Sequence, residues 1–412
     1  MHDVNTSGEP GDRLRELRRR RGLTQERLAE MAGLSVQCIK KIEQGGSARM
    51  ETYRQIANTL GVTTVWFVAP GSPEPVPETG DVALLSDMRA AIAPPVGLSG
   101  TPMYGTADGD DVALPRLAGA VSAIAMAYHG NKYDHLAQVL PALIRSAGYH
   151  VARFDGGEEH RQAVRLRGDL LGLAGRYLIQ VRAHDLALTA LQQSVRDALE
   201  IGDMPLAASG VGSQAWAMMR QGRFAEVERL CVQAAQQIEP RMSQATAGEL
   251  SAWGWLLLRA AAAAVRNNRT AEARELLTLA DTAGTRMERE QQDLEGHKTF
   301  GPISVALMRA ETEMIAGEPG RALEVMANLP RGIGRPSTST WNRGQLEKAQ
   351  ALVDVGDADQ ATEVLASLKA KAPEWLRYQQ RARDIADDIL RARTRLPTAE
   401  QREIADFLRV KQ

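Results

Sequence analysis

Five times between residues 175 and 365 the chain repeats one spacing. Arg182, Gly222, Asn268, Gly317 and Gly356 stand at the turn of each unit. Seven residues before each is a small residue: Gly175, Ala215, Ala261, Ala310 or Ala349. Five after comes Ala187, Val227, Ala273, Ala322 or Ala361, and nine after comes Leu191, Cys231, Leu277, Met326 or Leu365. Abundant alanine inflates any one column, but three columns in register exceed what composition supplies. The spacing predicts helical hairpins whose small residues sit where paired helices approach most closely. Aromatic residues are only 4% of the chain and alternating β-branched runs are few, which favours closely packed helices over sheets. A single hairpin cannot bury its apolar face alone, so residues 112–412 are expected to stack as an array.

This pattern resembles the tetratricopeptide repeat, including Pro240 and Pro373 at the ends of second helices. The turns here are 40, 46, 49 and 39 residues apart, against ~34 in the family pattern, which implies longer helices or added loops. "HGNKYDHLAQVLPALI" (129–144) reads as an additional, offset hairpin, and "YQQRARDIADDILRAR" as a cap. Stacked hairpins make a curved solenoid whose first helices line a concave surface. The residues expected on that surface include Asp169, Arg176, Ser209, Ser213, Trp216, Trp255, Arg259, Ser304, Met308, Glu311, Arg343 and Glu347. Trp216, Trp255, Arg259, Ser304, Met308, Arg343, Arg176 and Ser213 are the candidates for binding a peptide or small molecule. The alternative is that the tryptophans are core and the charges merely solvated. "FGPISVALMRAETEMIAGEPGRALEV" resembles a segment of actinobacterial regulators that reads F-G-P-x-N-V-x-x-H. Ser304 and Met308 replace its Asn and His, so a different ligand, or none, is implied.

The first 69 residues differ from the rest in charge, with 11 Lys/Arg against 8 Asp/Glu, whereas the remainder carries 39 against 43. A basic head on a slightly acidic body fits a nucleic-acid module joined to something else. The head breaks into five short helical segments. "DRLRELRRRRG" has apolar Leu14 and Leu17. "TQERLAEMAG" has Thr24 as N-cap, Leu28 and Met31 on one face, and Gly33 as its stop. "SVQCIKKIEQG" has Ser35 as N-cap, buries Ile39 and Ile42, and stops at Gly45. "METYRQIANTLG" and "TTVWFV" add Ile56, Leu60, Trp66 and Phe67 to a small core. A tight turn between the second and third segments is the spacing of a helix-turn-helix.

"GLTQERLAEMAGLSVQCIKKIEQG" resembles the DNA-binding domain of Cro/cI-type (XRE) repressors, through T-Q-x-x-L-A, then Gly, then S-x-x-x-I-x-x-I-E-x-G. With Ile39 and Ile42 turned inward, Val36, Gln37, Lys40 and Lys41 remain for the major groove. Gln37 can pair with an adenine edge, either lysine can donate to guanine or phosphate, and Val36 can pack on a thymine methyl. The resemblance implies these positions as base readers, with Thr24, Gln25 and Gln44 on phosphates. It also implies an internal pair between Arg18 and Glu43. Arg19–Arg21 are either a solvated helix end or phosphate contacts, Arg19 being the candidate. Cys38 reads as a packing residue.

The expected organisation is an all-α chain. A disordered N-terminus (1–11) precedes a five-helix Cro/cI-type helix-turn-helix domain (12–69). A linker with one helix at 82–92 (70–111) leads to an α-solenoid of tetratricopeptide-like hairpins (112–412). Two cysteines make neither a disulfide framework nor a zinc site, and no signal peptide opens the chain, so a cytoplasmic protein is expected. "WGWLLLRAAAAAV" is too short to span a bilayer. There is no H-E-x-x-H, P-loop or G-x-S-x-G, and "TADGDD" lacks the rest of a calcium loop. Neither enzyme nor cofactor is expected. The sequence therefore points to a homodimeric regulator on palindromic double-stranded DNA, responsive to a peptide or small-molecule effector. The rival is a DNA-anchored adaptor whose repeats dock a partner protein.

Overall fold

The computed structural model describes residues 10–20, 23–46, 48, 50–60, 79–98, 102–103, 113–130, 132–292, 299–392 and 396–410. The fifth head segment with Trp66 and Phe67, residues 1–9, residues 70–78 of the expected linker, Arg21 and "TADGDD" lie outside them. The described chain is almost wholly helical. Its β structure among the described residues is a short antiparallel pair, β1 (Gln291–Gln292) with β2 (Thr299–Phe300), and an isolated bridge between Val96 and Pro102. Two compact units are present: one reaches from the N-terminus to Val76 and also takes in Ala264–Thr270, and the other holds the remainder.

In the first unit, α1 (Pro10–Arg20), α2 (Gln25–Ala32), α3 (Val36–Glu43) and α4 (Met50–Thr59) enclose Leu14, Leu28, Ile39, Ile42, Ile56 and Leu60, all fully buried. Thr24 caps α2 by accepting from the Arg27 amide, and Ser35 caps α3 by accepting from Cys38. Gly33 ends α2 in the left-handed region and turns the chain into α3. Met31 is half exposed, contrary to expectation. The inward stripe of α2 runs through Leu28, Ala29 and Ala32, an i, i+1, i+4 set that leaves i+3 at its edge.

The second unit begins with α5 (Thr79–Ile92), whose Met88, Ala91 and Ile92 are buried in the unit's main core. Helical hairpins follow: α6 (Leu114–His129) with α7 (Tyr133–Arg153), α8 (Gly157–Gln180) with α9 (His184–Glu200), and α10 (Met204–Arg220) with α11 (Phe224–Gln237). Next come α12 (Ala247–Arg266), α13 (Thr270–Met287), α14 (Pro302–Ile315), α15 (Pro319–Ala327), α16 (Thr338–Asp354) and α17 (Ala358–Lys371). All five turn residues named from the repeat have positive φ: Arg182 68°, Gly222 75°, Asn268 62°, Gly317 86° and Gly356 92°. The column five residues later is fully buried throughout, as are Ala215, Ala261 and Ala349 in the small column, with Ala310 nearly so. Gly175 is small for a visible reason: a Cβ there would run into the side chain of Leu191, its partner nine residues past the turn. Between α8 and α9, Arg167 makes a two-pronged contact with buried Asp197 at 2.8 and 2.7 Å.

The C-terminal segment does more than cap the array. After α18 (Pro373–Arg377), α19 (Gln380–Arg391) packs against α20 (Ala399–Leu408). This segment returns to the start of its own unit. The Tyr133 amide donates to Glu374 at 3.2 Å, Gln379 donates to Gln180 at 3.4 Å, and the Tyr133 and Tyr378 rings meet at 6.1 Å. One core holds residues of α6–α9 together with residues of α16–α20, including fully buried Trp375. Within this unit the array curls until its ends touch, which the repeat pattern did not foretell.

Candidate nucleic-acid interface and effector site

Helix α3 separates its residues cleanly. Ile39, Ile42 and Glu43 are buried, while Gln37, Lys40, Lys41 and Gln44 are exposed. Positions 37, 40, 41 and 44 follow i, i+3, i+4, i+7 and therefore form one stripe. Val36 and Cys38 are partly buried against the head core, so Val36 offers less surface to a thymine methyl than expected. Ser35 and Thr24 are exposed at two helix N-termini, where free amides and the helix dipole favour phosphate. Arg19 is exposed on α1.

An internal charge network holds this stripe outward. Arg18 grips Glu43 through two hydrogen bonds of 2.6 and 3.0 Å, and donates again to the Leu23 carbonyl at 2.8 Å. Arg15 reaches the Glu43 carbonyl oxygen as well. The Gln25 amide donates one of its two N–H groups to Glu43 at 2.6 Å. Burial pushes the Glu43 carboxyl up, yet the hydrogen bonds from Arg18 and Gln25 outweigh it and hold it below the usual glutamate value. Glu26, in the first turn of α2, is lowered by a backbone amide and Thr24, and also by the charge of Lys40.

A helix-turn-helix family model matches residues 14–67 of the chain. Residues 14–67 are a helix-turn-helix domain. The match agrees with the Cro/cI (XRE) type implied by the motif, and this domain is one that DNA-binding transcription regulators carry. No curated protein and no solved structure matched the chain. Among the described residues no helix is long and apolar enough to cross a membrane.

Outside the helix-turn-helix domain, the nominated effector residues divide. Ser304 is fully buried and bound to Glu290, its amide and hydroxyl donating to the carboxylate at 2.7 and 2.8 Å. It ties the β1–β2 corner to the start of α14, a structural contact that removes it from any open surface. Met308 is buried, and Ser213 is buried with its hydroxyl returned to the Ser209 carbonyl at 2.9 Å. These three do not form the expected surface, and Arg176, Trp216 and Trp255 are buried as well, which leaves Arg259 and Arg343 as the partly exposed candidates. The long polar side chains behave differently. The Arg343 guanidinium lies 4.5 Å from the Trp216 ring centre, and that of Arg259 lies 5.5 Å from the same ring and 5.3 Å from Trp255. Arg176 lies 5.7 Å from Tyr128. Trp255 donates its indole N–H to the Thr299 carbonyl at 3.3 Å.

The electrostatics of this cluster follow from its crowding. Burial lowers Arg259 to about 10, with the charge of Arg343 adding to the effect and that of Glu311 opposing it, so Arg259 stays cationic at neutral pH. Arg259 and Arg343 both keep partial exposure, while Trp216 and Trp255 beneath them are buried. Tyr133, fully enclosed nearby, has its hydroxyl pushed up by burial, with Arg343 among the charges acting on it. Tyr128 and Tyr133 were not foreseen, because nothing local marks two tyrosines beside a turn as neighbours of arginines on distant hairpins. A separate groove runs between α16 and α17, lined by Trp341, Asn342, Glu363 and Lys371, and none of the nominated residues borders it.

Proposed function

We propose that the protein is an effector-responsive transcription regulator that binds palindromic operator DNA as a homodimer. In this reading residues 12–69 bind DNA, residues 70–111 connect, and residues 112–412, a tetratricopeptide-like array, sense a peptide or small molecule. One observation carries it: the polar stripe Gln37, Lys40, Lys41 and Gln44 stands exposed on α3 while the opposite face is locked inward by Ile39, Ile42 and the Arg18–Glu43 pair. Two lysines between two amides match the donor and acceptor pattern of base edges flanked by phosphate. Ser35, Thr24, Val36 and Arg19 complete the surface, and Gln25 joins it through the amide N–H not given to Glu43. One such head covers few base pairs, so two-fold pairing on half-sites about 34 Å apart supplies specificity. An effector controls this only to the extent that it binds one arrangement of the array better than another.

The test is genome-wide mapping of bound sites, followed by titration of the derived operator. Replacement Gln37→Ala is expected to relax preference at about one base pair, costing ~1–3 kcal/mol there and leaving random DNA unaffected. Equal losses on operator and random DNA would remove Gln37 from base reading. A sedimentation profile that stays monomeric on a palindromic site would overturn the dimer.

A further inference from the structure

The cluster around Trp216 has a charge character that the sensor reading leaves unspecified. Resting on that reading, we infer that Trp216, Arg259 and Arg343 recognise an organic carboxylate with a flat aromatic or conjugated body.

The argument begins with what the array brings to one indole. Two guanidiniums approach the same ring, from α12 at 5.5 Å and from α16 at 4.5 Å. Like charges gathered this closely repel each other, and an anion relieves the repulsion. Glu311 is the acid whose charge acts on Arg259, while Glu347 is drawn toward Arg381 at 3.2 Å. Arginine presents a planar fork that matches a carboxylate with two parallel hydrogen bonds. The indole N–H of Trp216 supplies a second observation. It is a donor without an acceptor among the described residues, on a side chain only 6% exposed. Buried donors ordinarily have acceptors, and a carboxylate oxygen is one. Tyr128 and Tyr133, both buried, lie close enough to Arg259 and Arg343 respectively to interact with them electrostatically. A flat apolar body is what such rings and guanidinium planes stack upon.

The experiment uses the full chain and three probes sharing one ring system: naphthoate, naphthamide and naphthylmethylammonium, each followed by titration calorimetry. Naphthoate is expected to bind saturably, about tenfold or more tighter than the other two. Arg259→Met and Arg343→Met should each remove about that factor for naphthoate and little for naphthamide. The comparison among probes on the unaltered protein needs no variant to fold. Naphthamide or the ammonium binding as tightly as naphthoate would overturn the carboxylate assignment and leave the sensor reading standing. Failure of all three probes, while a cell extract still alters operator affinity, would do the same. Failure of both probes and extract would remove the sensor reading as well.

Discussion

Glu43 receives donors from Arg15, Arg18 and Gln25, on three different turns of two helices. Its side chain is 2% exposed and that of Arg18 is 10% exposed, so removing one leaves the other charged and enclosed. Replacement Glu43→Ala is expected to cost about 3–5 kcal/mol and to release α3, seen as faster amide hydrogen exchange throughout that helix in the full chain. Exchange unchanged from the parent would mean that the apolar core alone positions α3. The pair also makes the head acid-sensitive. Because the folded carboxyl titrates below the ordinary glutamate value of 4.5, its contribution is complete above that value. It is lost as pH falls further, through the folded value. Protection of α3 against exchange should therefore hold down to about pH 4.5 and decline below it, and Glu43→Ala should abolish that decline.

At the scale of elements, the repeat columns state which helix positions tolerate a side chain. Gly175 lies inside α8, where alanine would ordinarily raise helix stability by up to about 1 kcal/mol. Here the added methyl would come within 2.4 Å of the fully buried Leu191 side chain, so that side chain must shift. Gly175→Ala should instead destabilise by ~1–3 kcal/mol, and Leu191→Val in the same chain should recover part of the loss. A neutral or stabilising Gly175→Ala, measured by urea unfolding, would mean that α8 and α9 separate easily. These positions were legible in the sequence because a turn fixes the geometry of the residues on both sides of it. The residues nominated for a concave surface fared less evenly. Short side chains such as Ser213 and Ser304 found partners within a helix turn or across one loop. The long arginines reached past their own helices and met Trp216.

The whole larger unit depends on contacts that span it. Tyr133 and Glu374 are 241 positions apart, and Gln180 and Gln379 are 199 apart, yet each pair is hydrogen bonded. Trp375, fully buried, sits where the two ends join. Trp375→Ala is expected to cost about 3–5 kcal/mol and to lower the melting temperature of this unit. If closure holds Arg343 against Trp216, the same change should also weaken naphthoate binding. A large thermal loss with binding intact would mean that the arginine cluster is held by its own helices and not by closure.

From the chain alone one can name the turns, the small-residue columns, both helix N-caps in the head and the polar stripe of α3. Each of these is set by backbone geometry or helical period within a few turns of the residue concerned. Folding in three dimensions decided that Gln25 serves Glu43, that Ser304 holds Glu290, and that Trp216 meets arginines of two other hairpins. The reason is cumulative. Each hairpin adds a small rotation set by its packing on the next, and only their sum brings the ends of the array together.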